Sequence, residues 1–282
     1  MLRLLLLTLL AVAGCASAPP ALTVAAAPAA ATADPDALRG WWRVEGDDRV
    51  VLVDPSSIEV REGDRTLTGT WRADQAGGFL ARIDVVEGGP EIHPDDPTPD
   101  WLAAATAFRV DGDARVLLDG AGAPVARLVP EAPGPGGGIV DPGREPDQAE
   151  RLRTAPAAPV AAPLVPLGSP ELLGYWFPRG ATNDAFLRFD EGGDWAGSDG
   201  CNAVDGAWLI GDDGAFLATA PQLRTLMFCE GGADVATQLG LARRAAFDGA
   251  DLVLLDAEGT VVGRYYRASR AGVGPVDPPT GG

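Results

Sequence analysis

The chain contains no lysine. Its 22 basic charges are all arginine, and against 40 acidic residues they leave a net charge of −18 at pH 7. Without lysine there is no P-loop, no Schiff base and no Ser–Lys dyad. So acidic a surface repels phosphate backbones, which excludes nucleic acid as a partner and marks the acidic excess as a solubility feature. His93 is the only histidine. That excludes HExxH and multi-histidine metal sites. Its polar, proline-flanked setting, EIHPDDP, reads as a solvated loop. There are 3 cysteines, Cys15, Cys201 and Cys229, and no CxxC.

The first residues, MLRLLLLTLLAVAGC, place Arg3 before an apolar run from Leu4 to Val12. A membrane-spanning helix takes about 20 residues, so this run suits a secretory h-region instead. It ends in Val12-Ala13-Gly14-Cys15, which resembles the bacterial lipobox. The resemblance implies a signal peptide over 1–14, cleavage before Cys15, and lipidation of Cys15. Two or three acyl chains suffice for stable anchoring. The expected location is therefore exported, lipid-anchored to the outer face of the cell membrane or to the outer membrane.

With 282 residues the chain has room for two ordinary domains, while 37 glycines and 25 prolines point to irregular stretches. An Ala/Pro-rich tether covers 15–36, a Pro/Ala/Gly linker 131–169 and an irregular tail 271–282. Two blocks remain, 37–130 and 170–270. They resemble each other: LRGWW (Leu38–Trp42) matches LLGYW (Leu172–Trp176), and VDGDARVLLDGAGAPVARL matches FDGADLVLLDAEGTVVGRY. An offset of 137 takes Trp71 to Trp208, Leu80 to Leu217 and Ala126 to Gly263 in one register. We read an internal repeat, a domain duplicated and joined by a flexible linker.

Each block opens with short strand-like runs separated by Gly, Asp and Asn, as hairpins require. A single helical stretch follows. In the second block the pattern predicts a helix over about Ala233–Ala246, with Val235, Leu239 and Ala242 on one face. In the first, TPDWLAAATAF predicts Thr98 at the N-cap and Pro99 at the first helical position. Two strands close each block. The expected fold is mainly β (α+β): two tandem small antiparallel β-sheet or barrel domains, each covered by one helix. Trp42, Trp71, Trp176 and Trp208 occupy matched positions and read as core residues.

WAGSDGCNAVDGAW, RTLMFCEG and the closing hairpin DGADLVLLDAEGTVVGRY all lie in the second block. Together they resemble the META domain, or HslJ-like, family. Gly200, Cys201, Asn202, Gly206, Thr225, Met227 and Cys229 carry the motifs. The sequence departs at Trp208, where Tyr or Phe is usual, and at Ala196, where glycine is frequent. The first block lacks both motifs, so its membership rests on the repeat alone. The resemblance implies a small β-rich fold with a helix, often on exported lipoproteins, and links to heat shock, novobiocin resistance and envelope or virulence phenotypes. It implies no catalytic activity.

AGSDG approaches the G-x-S-x-G elbow, but a base histidine must follow the serine, and His93 precedes Ser198. The stretch reads as a tight turn. A cysteine nucleophile meets the same shortage of a base. Asp190, Glu191, Asp194, Asp199, Asp205, Asp212 and Asp213 crowd one half of the second block. Two of them at suitable separation would serve acid–base chemistry on a glycan. Each sits beside a glycine or at a strand end, which favours turn formation. Asn202 reads as a turn residue tolerating the left-handed region, and Arg243-Arg244 as a solvated helix end. Lipidation consumes Cys15, so in an oxidising compartment Cys201 and Cys229 are expected to form a disulfide. The offset of 137 places Asp64 and Ile92 at the matching positions, so both cysteines are absent from the first block together. Two separate buried thiols are the competing reading.

These readings converge on a non-enzymatic, membrane-anchored envelope lipoprotein with a stress-response or binding role. It needs no cofactor and no metal. Its partners are the membrane, through the lipid, and an unidentified envelope protein or small ligand. The alternatives are an acid-dependent cell-wall glycan hydrolase using the carboxylates of the second block, or an inhibitor of such an enzyme.

Overall fold

The computed structural model describes residues 33–88, 98–133, 140–211, 213–221 and 227–267. Cys15, His93, Asp212, Thr225, the 15–32 part of the tether and the tail lie outside them. In the first half, alternating apolar residues build β1 (Gly40–Val44), β2 (Val50–Val53), β3 (Ser57–Glu62), β4 (Arg65–Ala73) and β5 (Phe79–Glu87). The short helix α1 (Asp100–Ala103) follows, then β6 (Ala107–Asp111), β7 (Ala114–Leu118) and β8 (Pro124–Pro130). All neighbours are antiparallel, in the order β5-β4-β3-β2-β1-β8-β7-β6. A single bridge, Gly78 to Ala107, joins the two edges. The sheet curls around its core without closing into a barrel.

Between the halves run α2 (Gln148–Thr154), β9 (Val165–Pro166) and α3 (Ser169–Leu172). The second half contains β10 (Gly174–Pro178), β11 (Phe186–Phe189), β12 (Asp194–Ser198), β13 (Ala203–Ile210) and β14 (Phe216–Ala218). The helix α4 (Val235–Leu241) leads to β15 (Arg244–Asp248), β16 (Asp251–Leu255) and β17 (Val261–Tyr266). Their order, β14-β13-β12-β11-β10-β17-β16-β15, is that of the first sheet, with β9 added at the β15 edge. Here the bridge is Ala215 to Arg244, and the offset of 137 carries Gly78–Ala107 onto it. The same offset carries Gly112 onto Gly249, each with φ 62° in a two-residue hairpin. Glycine at the first central position is what a type II′ turn demands.

Each core is organised by buried tryptophans whose indole N–H finds a backbone carbonyl. Trp42 donates to Leu38 O and Trp176 to Leu172 O, both at 2.7 Å. Trp71 donates to Asp54 O at 2.8 Å, and Trp208 to Asp194 O at 3.0 Å. An amphipathic ring buried this way contributes apolar area without leaving its donor unsatisfied. α1 buries Leu102, and α4 buries Val235, Ala236 and Leu239.

The expected helix over 233–246 ends at Leu241. Ala242 turns to an extended conformation with ψ 135°, and Arg244–Asp248 becomes β15, paired over its whole length with β16. Cross-strand pairing overrides the helical preference of an Ala/Arg-rich run. Thr98 caps no helix. Pro99 takes the N-cap position of α1, and Thr98 Oγ1 instead accepts from the Ile83 N–H on β5 at 3.1 Å. The Arg243-Arg244 pair is no solvated helix end either. Arg243 is buried and donates to the carbonyls of Leu152 and Arg153 at the end of α2.

The segment expected to be an irregular linker is therefore built into the structure over much of its length. α2 starts with a capping box, the Asp147 carboxylate accepting from Glu150 N and the Glu150 carboxylate from Asp147 N. Arg144 grips the same Glu150 through both terminal nitrogens, at 2.6 and 2.8 Å. The Arg144 hydrogen bond, opposed by burial, holds the Glu150 carboxyl down at about 2. Arg144 also lies 3.7 Å from Asp54 on the first half. On the second half, Leu167 N donates to Ala245 O at 3.2 Å, and Arg244 donates to the carbonyls of Ala157 and Ala158.

The two halves also meet directly, and the described residues form one compact unit. Arg82 of β5 pairs with Asp194 at 3.1 Å and with Asp205, both in the second half. Arg72 of β4 is buried, with its Nη1 donating to Trp71 O and its Nε lacking a partner. Burial, then the nearby Arg153 and Arg243 cations, push the Arg72 guanidinium down from its ordinary range. Asp84 sits at the same seam. Burial, opposed by Arg82 and assisted by Asp205, pushes its carboxyl up to about 6.

A carboxyl with a raised pKa binds its proton more tightly in the folded than in the unfolded chain. Its contribution is thus present below about pH 4 and lost as pH rises through about 6. Asp84→Asn is expected to raise stability at pH 7.5 by about 1–2 kcal/mol, after discounting for partial exposure, and to flatten the pH dependence between 4 and 7. Urea titrations across that range check this. A variant less stable than the parent at pH 7.5 would show that the Asp84 carboxylate is held by the arginines rather than penalised.

Candidate functional site

The GCN motif forms the turn between β12 and β13. Asp199 closes it, Oδ1 accepting from Cys201 N at 2.9 Å and Asn202 N at 2.7 Å, and Oδ2 from Asn202 Nδ2 at 2.7 Å. Burial works against its charge, but the Asn202 and Cys201 bonds hold the Asp199 carboxyl below its ordinary range. Gly200 has φ 101°, and a Cβ there would lie 2.3 Å from Asn183 Nδ2. Only glycine satisfies both conditions.

Asn202 is buried and does not adopt the left-handed backbone expected of it. No non-glycine residue does so among the described residues. Its amide instead reads the TLMFC segment: Nδ2 donates to Met227 O at 2.8 Å, and Met227 N donates to Oδ1 at 3.1 Å. The side chain thus pairs with Met227 as a neighbouring strand would. Two residues on, the Cys201–Cys229 disulfide joins the same segments, with Cα atoms 5.8 Å apart. Asn183 Nδ2 adds contacts to Asp199 O at 2.8 Å and Cys229 Sγ at 3.3 Å. Gly206 lets the Trp195 indole cross β13 to donate to Thr219 O, since a Cβ there would lie 2.5 Å from Trp195 Nε1.

The product is a stapled loop with an apolar tip. Phe228 is 91% exposed and Met227 62%. Beneath them lies a cleft of about 270 Å³ lined by Val204, Met227, Phe228, Val235, Ala236 and Asp234. An Asp199 carboxylate oxygen and the two sulfurs fall within 4.8 Å of one another. Sulfurs bonded to each other are not thiolates, so this cluster lacks the ligands a metal would need.

Among the acids, Asp194 and Asp205 converge on Arg82, Asp190 pairs with Arg188 at 2.9 Å and Asp213 with Arg244 at 2.6 Å. Ser198 ends β12 and leads into a strand-to-strand turn. Its Oγ accepts from Gly200 N at 3.0 Å. The structure therefore brings Cys201, Asn202, Met227 and Cys229 together, gathers Asp194 and Asp205 on Arg82, and sets Asp190 and Asp213 on separate arginines.

The family model described as META domain matches residues 174–269. Residues 174–269 are a META domain. The match begins at β10 and takes in the stapled loop and the closing hairpin. No curated protein and no solved structure matches the chain.

The loop of the META domain should depend on its staple. Cys201→Ser with Cys229→Ser opens a 28-residue interval and is expected to cost about 3–4 kcal/mol in the chain-entropy model. Asn202→Ala orphans both backbone groups of Met227 and is expected to cost about 2–3 kcal/mol. Urea unfolding of the full chain measures both. An unchanged midpoint in either variant would mean that the loop is held by other contacts.

Proposed function

We propose that the protein is an exported envelope protein, anchored by lipid at Cys15, that works by binding a partner at the META-domain loop rather than by catalysis. One observation carries the reading. Gly200, Cys201, Asn202 and Cys229 are spent on holding a loop whose two apolar side chains, Met227 and Phe228, stay in solvent. Exposed apolar tips mark interaction sites, and a covalent staple lowers the ordering cost of binding there. The ion pairs that hold Asp194 and Asp205 on Arg82, Asp190 on Arg188 and Asp213 on Arg244 already engage these carboxylates, which supports binding over glycan hydrolysis. We infer further that the first half is a second copy of the META fold unit that has lost the loop. The shared strand order and the offset of 137 support this.

Replacing Phe228 with a photo-reactive benzoylphenylalanine in the full chain is expected to give a discrete crosslinked species in cells. The exposed Val110 of the first half serves as the control position. The species should vanish when Cys201 and Cys229 are both serine. No adduct at 228, or the same adduct from 110, would overturn the binding role of the loop. The anchor has its own test. Cys15→Ser is expected to leave an unprocessed precursor that takes up no labelled fatty acid, and normal labelling of that variant would remove the anchor from the proposal.

A further inference from the structure

On the META sheet, β10 and β17 send Trp176 and Tyr265 into the core, and β11 sends Leu187 and Phe189. Strand alternation therefore places Tyr175, Phe177, Phe186, Arg188 and Tyr266 together on the opposite face. The registers agree, pairing Tyr175 with Arg188 and Phe177 with Tyr266. The rings touch in two tilted pairs, Tyr175 with Phe186 and Phe177 with Tyr266, each with centroids 5.8 Å apart. Tyr175 is 46% exposed and Tyr266 37%.

Each tyrosine carries a guanidinium, Arg188 over Tyr175 at 5.7 Å and Arg179 over Tyr266 at 4.6 Å. Each guanidinium is in turn held by a carboxylate, Arg188 by Asp190 at 2.9 Å and Arg179 by Asp251 at 2.6 and 3.1 Å. The face thus offers apolar rings bordered by planar groups that both donate and accept, with its charges already paired. The first half matches this face at one position only, Trp41, over which Arg61 lies at 5.4 Å. In the corresponding strand positions stand Trp41, Arg43, Val50, Leu52 and Val129.

We propose that this face binds a neutral glycan. The pyranose ring presents C–H groups on its faces and hydroxyls on its rim. The faces stack on exposed aromatic rings, and vicinal hydroxyls suit guanidinium and carboxylate edges, which supply fixed donors and acceptors. Charge selects among polymers. A protein of net charge −18 repels polyanions, and arginines already paired with Asp190 and Asp251 add little pull toward phosphate or uronate. A proline-rich peptide would use the rings but leave the hydroxyl-matching edges idle. This site is separate from the Met227–Phe228 loop, so either can fail alone.

The test is native electrophoresis of the full chain through gels containing hydroxyethyl cellulose, glycol chitin, alginate or poly-L-proline. Retardation by a neutral glycan is expected. Tyr175→Ala with Tyr266→Ala should weaken it by about tenfold. Tyr175→Phe, which keeps the ring, and Phe228→Ala, at the other site, should retain it. Near-UV circular dichroism confirms that the variants fold. The proposal is overturned if neither neutral glycan retards the protein, if the double variant is retarded like the parent, or if alginate or poly-L-proline retards it more strongly.

Discussion

A curled sheet whose two edges meet at a single bridge leaves most of each edge with unpaired backbone groups, and much of this molecule is arranged around them. Thr98 Oγ1 accepts from the β5 edge at Ile83. β9 pairs with β15 and occupies the far edge of the second sheet. Arg82 projects from β5 toward Asp194 and Asp205 of the other half. Exposed edges invite pairing with other chains, so covering them internally guards against aggregation as well as satisfying the backbone. The connecting segment follows from the same need, because it supplies β9 and a helix whose terminal carbonyls are bound by Arg243.

The loop of the META domain answers a different demand. Apolar side chains left in water gain nothing from burial, so Met227 and Phe228 cannot hold their own backbone in place. The Asn202 amide, the Asp199 turn and the disulfide hold it from below. Stiffness in the loop is thereby uncoupled from packing at its tip.

The sequence carried much of this openly. Alternation and turn residues marked most strands, and the matched tryptophans marked both cores. The motif stretches pointed to the cysteine pair and the META fold. Other features were hidden for physical reasons. β15 was concealed because ARRAAF has the composition of a helix, and only its partner β16 makes it a strand. α2 was concealed by the prolines and glycines around it, although Asp147 and Glu150 stand at capping-box spacing. The role of Asn202 was not readable at all. A turn asparagine and one reaching 25 residues ahead to Met227 look alike until the chain is folded.

The embedded connector also bears on how the chain assembles. β9 and Leu167 belong to the second sheet, while Arg144 and Glu150 engage Asp54 and Ser56 of the first half. A chain emerging N-terminus first can complete the first sheet and dock the connector before any of the second sheet exists. The second half would then begin folding next to α2 already held against the first half, with β9 tethered to it by a short stretch of chain. Assembly in this order replaces a long-range search by a local one for the part of the molecule that carries the stapled loop.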